Sequence, residues 1–356
     1  MIATNAIHIN GRRIGAGSPA YVIAEMSANH GQDFERAVAI VHAAKAAGAD
    51  AIKLQTFTPD LHTLNHDSAH FRVGGGTLWD GRTLHDLYSE AYMPWDWQPK
   101  LQALAAEIGI DLFSAPVDAS SVDFLETLNV PAYKIASFDI VDLALVRRAA
   151  RTGRPLIMST GMASLAEIGE AVAAASDAGA AEIALLKCTS AYPAPPSEMN
   201  LRAIPFLSEM FGLPVGLSDH TTGLVSAVAA VALGACIVEK HLTLSRELPG
   251  PDRAFSLEPA EFGEMVASIR TAEAALGSAR YRLGADEQNA RSLRRSLFIV
   301  KDVRAGETLS AEHVRSIRPG HGLHPRHLND VLGRKAARDI ERGAPVTWDL
   351  LGDSAS

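Results

Sequence analysis

The sequence is short of everything that would put the chain outside the cell, in a membrane or on a nucleic acid. It has two cysteines, Cys188 and Cys236, each inside an apolar run, which predicts reduced core thiols rather than a disulfide framework. It has no cysteine cluster of the kind that closes a structural zinc site. Basic residues are the minority: 33 Lys+Arg stand against 41 Asp+Glu, a formal net charge of −8. That balance argues against nucleic acid or an anionic membrane as the main partner, while leaving room for a local basic pocket around a small anion. No apolar run approaches the roughly 18 residues that a membrane-spanning helix requires. Residues 1–15, MIATNAIHINGRRIG, lack the apolar core of a signal peptide and read as a short hairpin turning at Asn10-Gly11. The expectation is a cytoplasmic protein.

What the sequence does have is one pattern, repeated. At 47% hydrophobic and 21% charged residues the composition is that of a globular protein, and 356 residues predict two domains. Short apolar strands are predicted at 22–26, 51–55, 112–115, 133–136, 156–159, 183–188, 215–217 and 237–240. Most lie roughly 20 to 30 residues apart, the length of a strand, a loop and a crossover helix. Between them apolar residues recur at helical spacing, as in Ala37, Ile40, Val41 and Ala44. Eight such units predict an α/β fold, a (β/α)8 TIM barrel over residues 21–276, preceded by the hairpin in 1–20. The interval 58–100 breaks the rhythm with glycines and aromatics (GGGTLWDGRTLHDLYSEAYMPWDW) and suits a lid or specificity loop on the catalytic face, or a mere structural flap. Residues 277–294 are polar and read as a linker. Residues 295–356, with short β segments and turns at Arg304-Ala305-Gly306 and Glu341-Arg342-Gly343, read as a small β-rich domain with little core of its own.

Polar residues gather at the expected C-terminal ends of the strands. Glu25, Ser27, Asn29 and His30 follow the first; Lys53 and Gln55 the second; Ser114 the third; Lys134 and Ser137 the fourth. Ser159 and Thr160, then Ser190 and Tyr192, then Asp219 and His220, then Glu239, Lys240 and His241 complete the ring. His220 and His241 end neighbouring strands beside Asp219, Glu239 and Asp252, so their rings are candidate ligands for a divalent ion with open positions, Mn²⁺ for preference, which would polarise an aldehyde oxygen. Lys53 and Lys134 lie within apolar strands, and an inward lysine needs an anion. Three readings stay open for them: an ion pair with a barrel carboxylate such as Glu25, a phosphate and carboxylate pocket completed by Ser137, Ser159 and Ser114, or a Schiff-base lysine.

The motifs IAEMSANHGQDFERA, AGADAIKLQT, YKIASFDIVDLALV, IMSTGMA, LKCTSAYPAP, GLSDHT, EKHLTL and GPDRAFSLEP, together with a C-terminal segment containing IRPGHG, resemble the sialic acid synthase family over nearly the whole chain. Within that family the insertion GTLWDGRTLHDLYSEAYMPWDW looks like that of the pseudaminic acid branch, and the C-terminal segment resembles an antifreeze-like (SAF) domain. The resemblance implies condensation of phosphoenolpyruvate (PEP) with an open-chain N-acetylated amino sugar, here 2,4-diacetamido-2,4,6-trideoxy-L-altrose. The products would be a nine-carbon α-keto acid and phosphate, with cleavage of the C–O bond of PEP. By motif, His220 and His241 would bind Mn²⁺, and Glu25 would be the acid/base group. Lys53, Lys134, Ser137 and Ser159, with Ser114 and Ser190, would hold PEP, and Gln55, Tyr192 and Asp252 would contact the sugar. Arg318 would act in trans within a domain-swapped homodimer. Ser190 stands where the neuraminate branch commonly has asparagine. An N-acetylneuraminate or legionaminate synthase, a Schiff-base aldolase and a non-catalytic sugar- or ice-binding protein are the alternatives.

Overall fold

The computed structural model describes residues 6–278 and 281–354; residues 1–5 of the expected hairpin segment, 279–280 of the expected linker and 355–356 of the small domain lie outside the described residues. The chain divides into two compact units, Met1–Gly277 and Ser278–Ser356.

The first unit begins with the hairpin β1 (Ala6–Ile9) and β2 (Arg12–Gly15). Its turn residues Asn10 and Gly11 both take positive φ, 47° and 78°, which suits a tight two-residue connection. Eight strands then close into a barrel: β3 (Tyr21–Glu25), β4 (Ala51–Thr56), β5 (Asp111–Pro116), β6 (Tyr133–Ile135), β7 (Leu156–Ser159), β8 (Ile183–Cys188), β9 (Val215–Asp219) and β10 (Ile237–His241). Every strand runs parallel to its neighbours, and β10 returns to pair with β3. The strands fall where the apolar runs predict them, shifted by a residue or two. The shifts are informative at β9 and β10, which run on into Asp219 and His241.

Helices α1 (Phe34–Ala46), α2 (Pro59–His62), α3 (Leu84–Ala91), α4 (Gln98–Ile108), α5 (Ala119–Thr127), α6 (Leu143–Ala150), α7 (Leu165–Asp177), α8 (Ala203–Phe211), α9 (Val225–Ala232) and α10 (Pro259–Leu276) follow in order. Of these, α2 and α3 belong to the insertion, which ends where the crossover helix α4 begins. Local chemistry sets the starts. Asp118 caps α5 by accepting from the Ser121 amide at 2.9 Å, and Ser164 with Glu167 forms a reciprocal capping box on α7.

The hairpin packs on the N-terminal ends of the strands. Ile7, Ile9 and Ile14 are fully buried in the cluster that contains Tyr21, Ile23 and Ile237. Asn10 donates to Asp111 at 2.6 Å, as does the Tyr21 hydroxyl at 2.6 Å, so polar bonds fasten the plug at its rim. No helix among the described residues is long and apolar enough to cross a membrane.

The second unit carries two antiparallel pairs, β11 (Ser296–Ile299) with β12 (Val314–Ile317) and β13 (Arg334–Ala336) with β14 (Leu351–Ser354). The two turns read from sequence are present, with Gly306 and Gly343 at φ 82° and 95°. Contrary to the expectation of little core, Leu297, Ile299, Val303, Leu309, Val314, Val331 and Val346 are buried together as its own apolar centre.

Gly216 marks a tight place in the barrel wall. A Cβ there would stand 2.4 Å from the Ile237 carbonyl oxygen and 2.8 Å from Leu186 Cδ2. The Gly216→Ala variant is therefore expected to lose about 1–3 kcal/mol through forced strand separation, read as a lowered urea midpoint at unchanged m-value.

Candidate active site

Closure of the barrel brings the strand C-terminal ends to one mouth, where a cavity of about 530 Å³ opens. Which side chains reach it follows from the twofold alternation of β-structure. On β10, Glu239 and His241 line the cavity while Lys240 between them turns outward; on β4, Lys53 and Gln55 line it; from the end of β8 onward, Cys188, Ser190 and Tyr192 do so in turn. Pairing keeps this in phase, since Glu25 stands beside Lys53 on one side and His241 on the other.

Of the residues expected from sequence, the cavity gathers Glu25, Lys53, Gln55, Lys134, Ser137, Ser159, Ser190, Tyr192, His220, His241 and Asp252. Ser114 is not among them. In register it stands beside Leu54, on the face toward the helices, and its neighbours Ala115 and Val117 line the cavity instead. Its hydroxyl meets Thr56 Oγ1 at 2.6 Å, and Thr56 in turn donates to Gln98 at 2.9 Å, tying the start of α4 to the wall. Asn29 is likewise committed, donating to the Leu242 carbonyl at 3.0 Å and to Ser256 at 2.9 Å. Asp219 accepts from Lys240 at 2.9 Å, both fully buried, so it is not free to serve beside His220. Arg318 lies in the second unit, exposed.

The cavity floor is a cluster of four charges. Lys53 Nζ lies 2.5 Å from Glu25 and 4.0 Å from Glu239, and Lys134 Nζ lies 3.6 Å from Glu239. The ion pair with Glu25, one of the three readings open from sequence, is therefore made. Burial pushes the Glu25 carboxyl up to about 7, against the opposing pull of Lys53. Burial also acts to raise Glu239, but Lys134 and Lys53 outweigh it and hold this carboxyl below its ordinary value. Burial lowers Lys134, a loss only partly offset by Glu239. Glu239 is thus the central counter-charge, which sequence reasoning named only as a neighbour of the histidines. Its signal was present: it sits two residues before His241 and so shares its face.

The two imidazoles converge, with ring centroids 5.3 Å apart. His220 Nδ1 lies 3.0 Å from the Thr189 carbonyl oxygen, which can only accept, so the proton is on Nδ1 and in the neutral ring the lone pair is on Nε2. Burial, then the nearby His220 and Lys53, lower the pKa of His241 well below the ordinary range, keeping this ring neutral. Its Nδ1 is buried without a hydrogen-bond partner, as is Glu239 Oε2. Orphaned donor atoms of this kind, nitrogen and oxygen, fit a divalent cation. Among the described residues no three His, Cys, Asp or Glu side chains form a ready ion site, so other ligands would be water or substrate. Phe255 backs both rings, 4.9 Å from His241 and 6.2 Å from His220.

Ser159 Oγ is buried, faces the cavity and has no partner, whereas the Ser114 hydroxyl is satisfied within the wall. Ser159→Ala is accordingly expected to weaken binding of an anionic substrate by about 10-fold or more with little change in melting temperature. Ser114→Ala should lower stability by about 1 kcal/mol and leave anion affinity unchanged, as calorimetric titration and thermal denaturation would show.

Comparison with known proteins agrees with this geometry. The NeuB family model matches residues 40–281 and the SAF domain model matches residues 294–352. The chain is 41% identical to the pseudaminic acid synthase of Helicobacter pylori, covering 93% of this chain and 97% of that protein. It is 44% identical to the pseudaminic acid synthase of Campylobacter jejuni, covering 91% and 94%. The crystal structure of N-acetylneuraminic acid synthetase from Leptospira borgpetersenii superposes with a TM-score of 0.72 at 31% identity, covering 80% of this chain and 94% of that one. With an eight-stranded barrel, a following SAF domain and synthases as its relatives, this chain is an enzyme of the NeuB family.

Proposed function

We propose that the enzyme joins PEP to the open-chain form of 2,4-diacetamido-2,4,6-trideoxy-L-altrose, giving the nine-carbon α-keto acid pseudaminic acid and phosphate. The observation that carries the reading is one cavity floor on which two buried lysines stand beside two converging imidazoles. The relatives at 41% and 44% identity support the choice of sugar.

On this reading Lys53 and Lys134 receive the carboxylate and phosphate of PEP, with the hydroxyls of Ser137, Ser159 and Ser190 around them. Gln55, Tyr192 and Asp252 face the remaining space and contact the sugar. His220 and His241 would hold a divalent cation such as Mn²⁺, which would supply Lewis-acid polarisation of a carbonyl oxygen, worth on the order of several kcal/mol. C3 of the enol attacks the aldehyde carbon and forms the new C–C bond. Water then adds at C2, and the C2–O bond breaks so that phosphate leaves with the bridging oxygen. Glu25, raised to about 7, carries a proton close to neutrality; its carboxyl gives that proton to the aldehyde oxygen and takes one from the attacking water. Positioning of the two substrates supplies much of the rate.

Phosphate release with a panel of sugars tests the proposal. The diacetamido sugar should be turned over with kcat/KM about 100-fold above that for N-acetylmannosamine, because a pocket built for a second acetamido group loses those contacts with the simpler sugar. Chelation should abolish release and Mn²⁺ should restore it; full turnover by metal-free enzyme would instead favour a Schiff-base lysine. Label from the bridging ¹⁸O of PEP should appear in phosphate.

The enzyme is further proposed to act as a domain-swapped homodimer in which the exposed Arg318 completes the site of the second chain. His241→Ala and Arg318→Ala should each be nearly inactive. Mixed and exchanged, they should recover about a quarter of wild-type activity, since half of the dimers are mixed and each has one intact site. Demonstrated exchange without recovery would return Arg318 to its own chain.

A further inference from the structure

The insertion supplies a wall of the cavity that none of the chemistry above uses. Val73, Trp79, Leu84, Leu87, Tyr88 and Ala91 all line it. Trp79 is held more firmly than its place in a glycine-rich loop suggests. The Asp80 carboxylate accepts from the Gly76 amide at 2.8 Å and from the Thr77 amide and hydroxyl at 2.9 and 2.8 Å, closing a tight turn that contains Trp79. Trp79 Nε1 donates to the Pro251 carbonyl at 3.1 Å, across to the loop that follows β10. Its ring packs on Tyr192 at 5.6 Å, and Tyr192 packs on His220 at 4.4 Å.

Two consequences follow. The only polar atom of the indole is already bonded, so what Trp79 offers the cavity is a fixed apolar face. Ahead of α4, residues 58–97 of the insertion contain two arginines and no lysine, and both arginines are engaged: Arg72 pairs with Asp67, and Arg82 with Glu90 at 2.7 Å. An anionic group brought to this wall would be stripped of water, and both of the insertion's own arginines already hold a carboxylate, which makes its burial there costly. His62, which also lines the wall, is kept neutral by burial, its pKa lowered to about 4.

From these contacts we infer that Trp79 is a specificity-determining residue whose anchored indole face takes the uncharged, methyl-bearing end of the sugar, so that sugars ending in a phosphate are refused. The inference rests on the synthase reading and names the residue that selects within it.

The test is steady-state kinetics of wild type, Trp79→Ala and Trp79→Phe on the 2,4-diacetamido-2,4,6-trideoxyhexose, N-acetylmannosamine and N-acetylmannosamine 6-phosphate. For Trp79→Ala, KM for the diacetamido sugar should rise about 10-fold or more while KM for PEP moves less than about threefold. Preference over N-acetylmannosamine should shrink by a similar factor of about 10, because the simpler sugar never used the contact. Trp79→Phe keeps an aromatic face and should retain the preference. Should Trp79→Ala lose its melting transition, Trp79→Leu replaces it with the same expectations. Equal losses on both sugars, a fall in kcat with KM unchanged, or efficient wild-type turnover of the 6-phosphate would overturn the inference and leave Trp79 a structural prop. Wild type that releases no phosphate with any of the three sugars would overturn the synthase reading itself, and this inference with it, and would be told apart because the failure shows in the unmodified chain.

Discussion

The buried centre of the barrel holds two lysines and two glutamates, and the rest of the site is arranged around keeping them compensated. Lys53, Lys134, Glu25 and Glu239 are each at most 4% exposed. An uncompensated charge in such a place costs several kcal/mol, so each strand must close in the register that sets it beside its counter-charge. That requirement couples β3, β4, β6 and β10, and β10 brings Glu239 to β3 and β4 only once the ring is complete. The same arrangement is chemically poised. Two carboxylates share two cations, and the raised Glu25 is the member that most easily gives up its charge when another anion arrives.

Much of this was legible in the sequence because barrels translate pattern into position with few exceptions. Strand spacing gave the architecture, and the residues at the strand ends gave most of the cavity lining. Where the reading slipped, the cause was phase. Ser114 was grouped with the site because it ends a strand, but it sits out of step with Ala115 and Val117 and beside the outward Leu54. The reverse case is Glu239, in step with His241 and central to the floor. Alternation within each strand, applied residue by residue, separates the two.

The insertion was far less legible. Its role as a wall depends on contacts that no local pattern encodes, such as Trp79 to Pro251, 172 residues apart in sequence. Its glycines and aromatics suit a lid, a specificity loop or a structural flap alike; the Asp80 carboxylate and the two positive-φ glycines Gly75 and Gly76 make a defined turn. The small unit was under-read in another way. Its apolar residues are spread among turns, so that the centre formed by Leu297, Ile299, Val314 and Val346 emerges only when the strands pair.

The hairpin at the opposite end of the barrel has a kinetic consequence. With Ile7, Ile9 and Ile14 packed across the base, the cavity is a blind alley whose charged floor lies deepest. On the proposed chemistry PEP takes Lys53 and Lys134, and the space lined by Gln55, Tyr192 and the insertion wall lies outside it. A second reactant seated in that outer space corks the first one in. On the proposed chemistry a single mouth therefore sets an order: PEP arrives first, the sugar second, and phosphate formed at the bottom waits for the long product above it to clear.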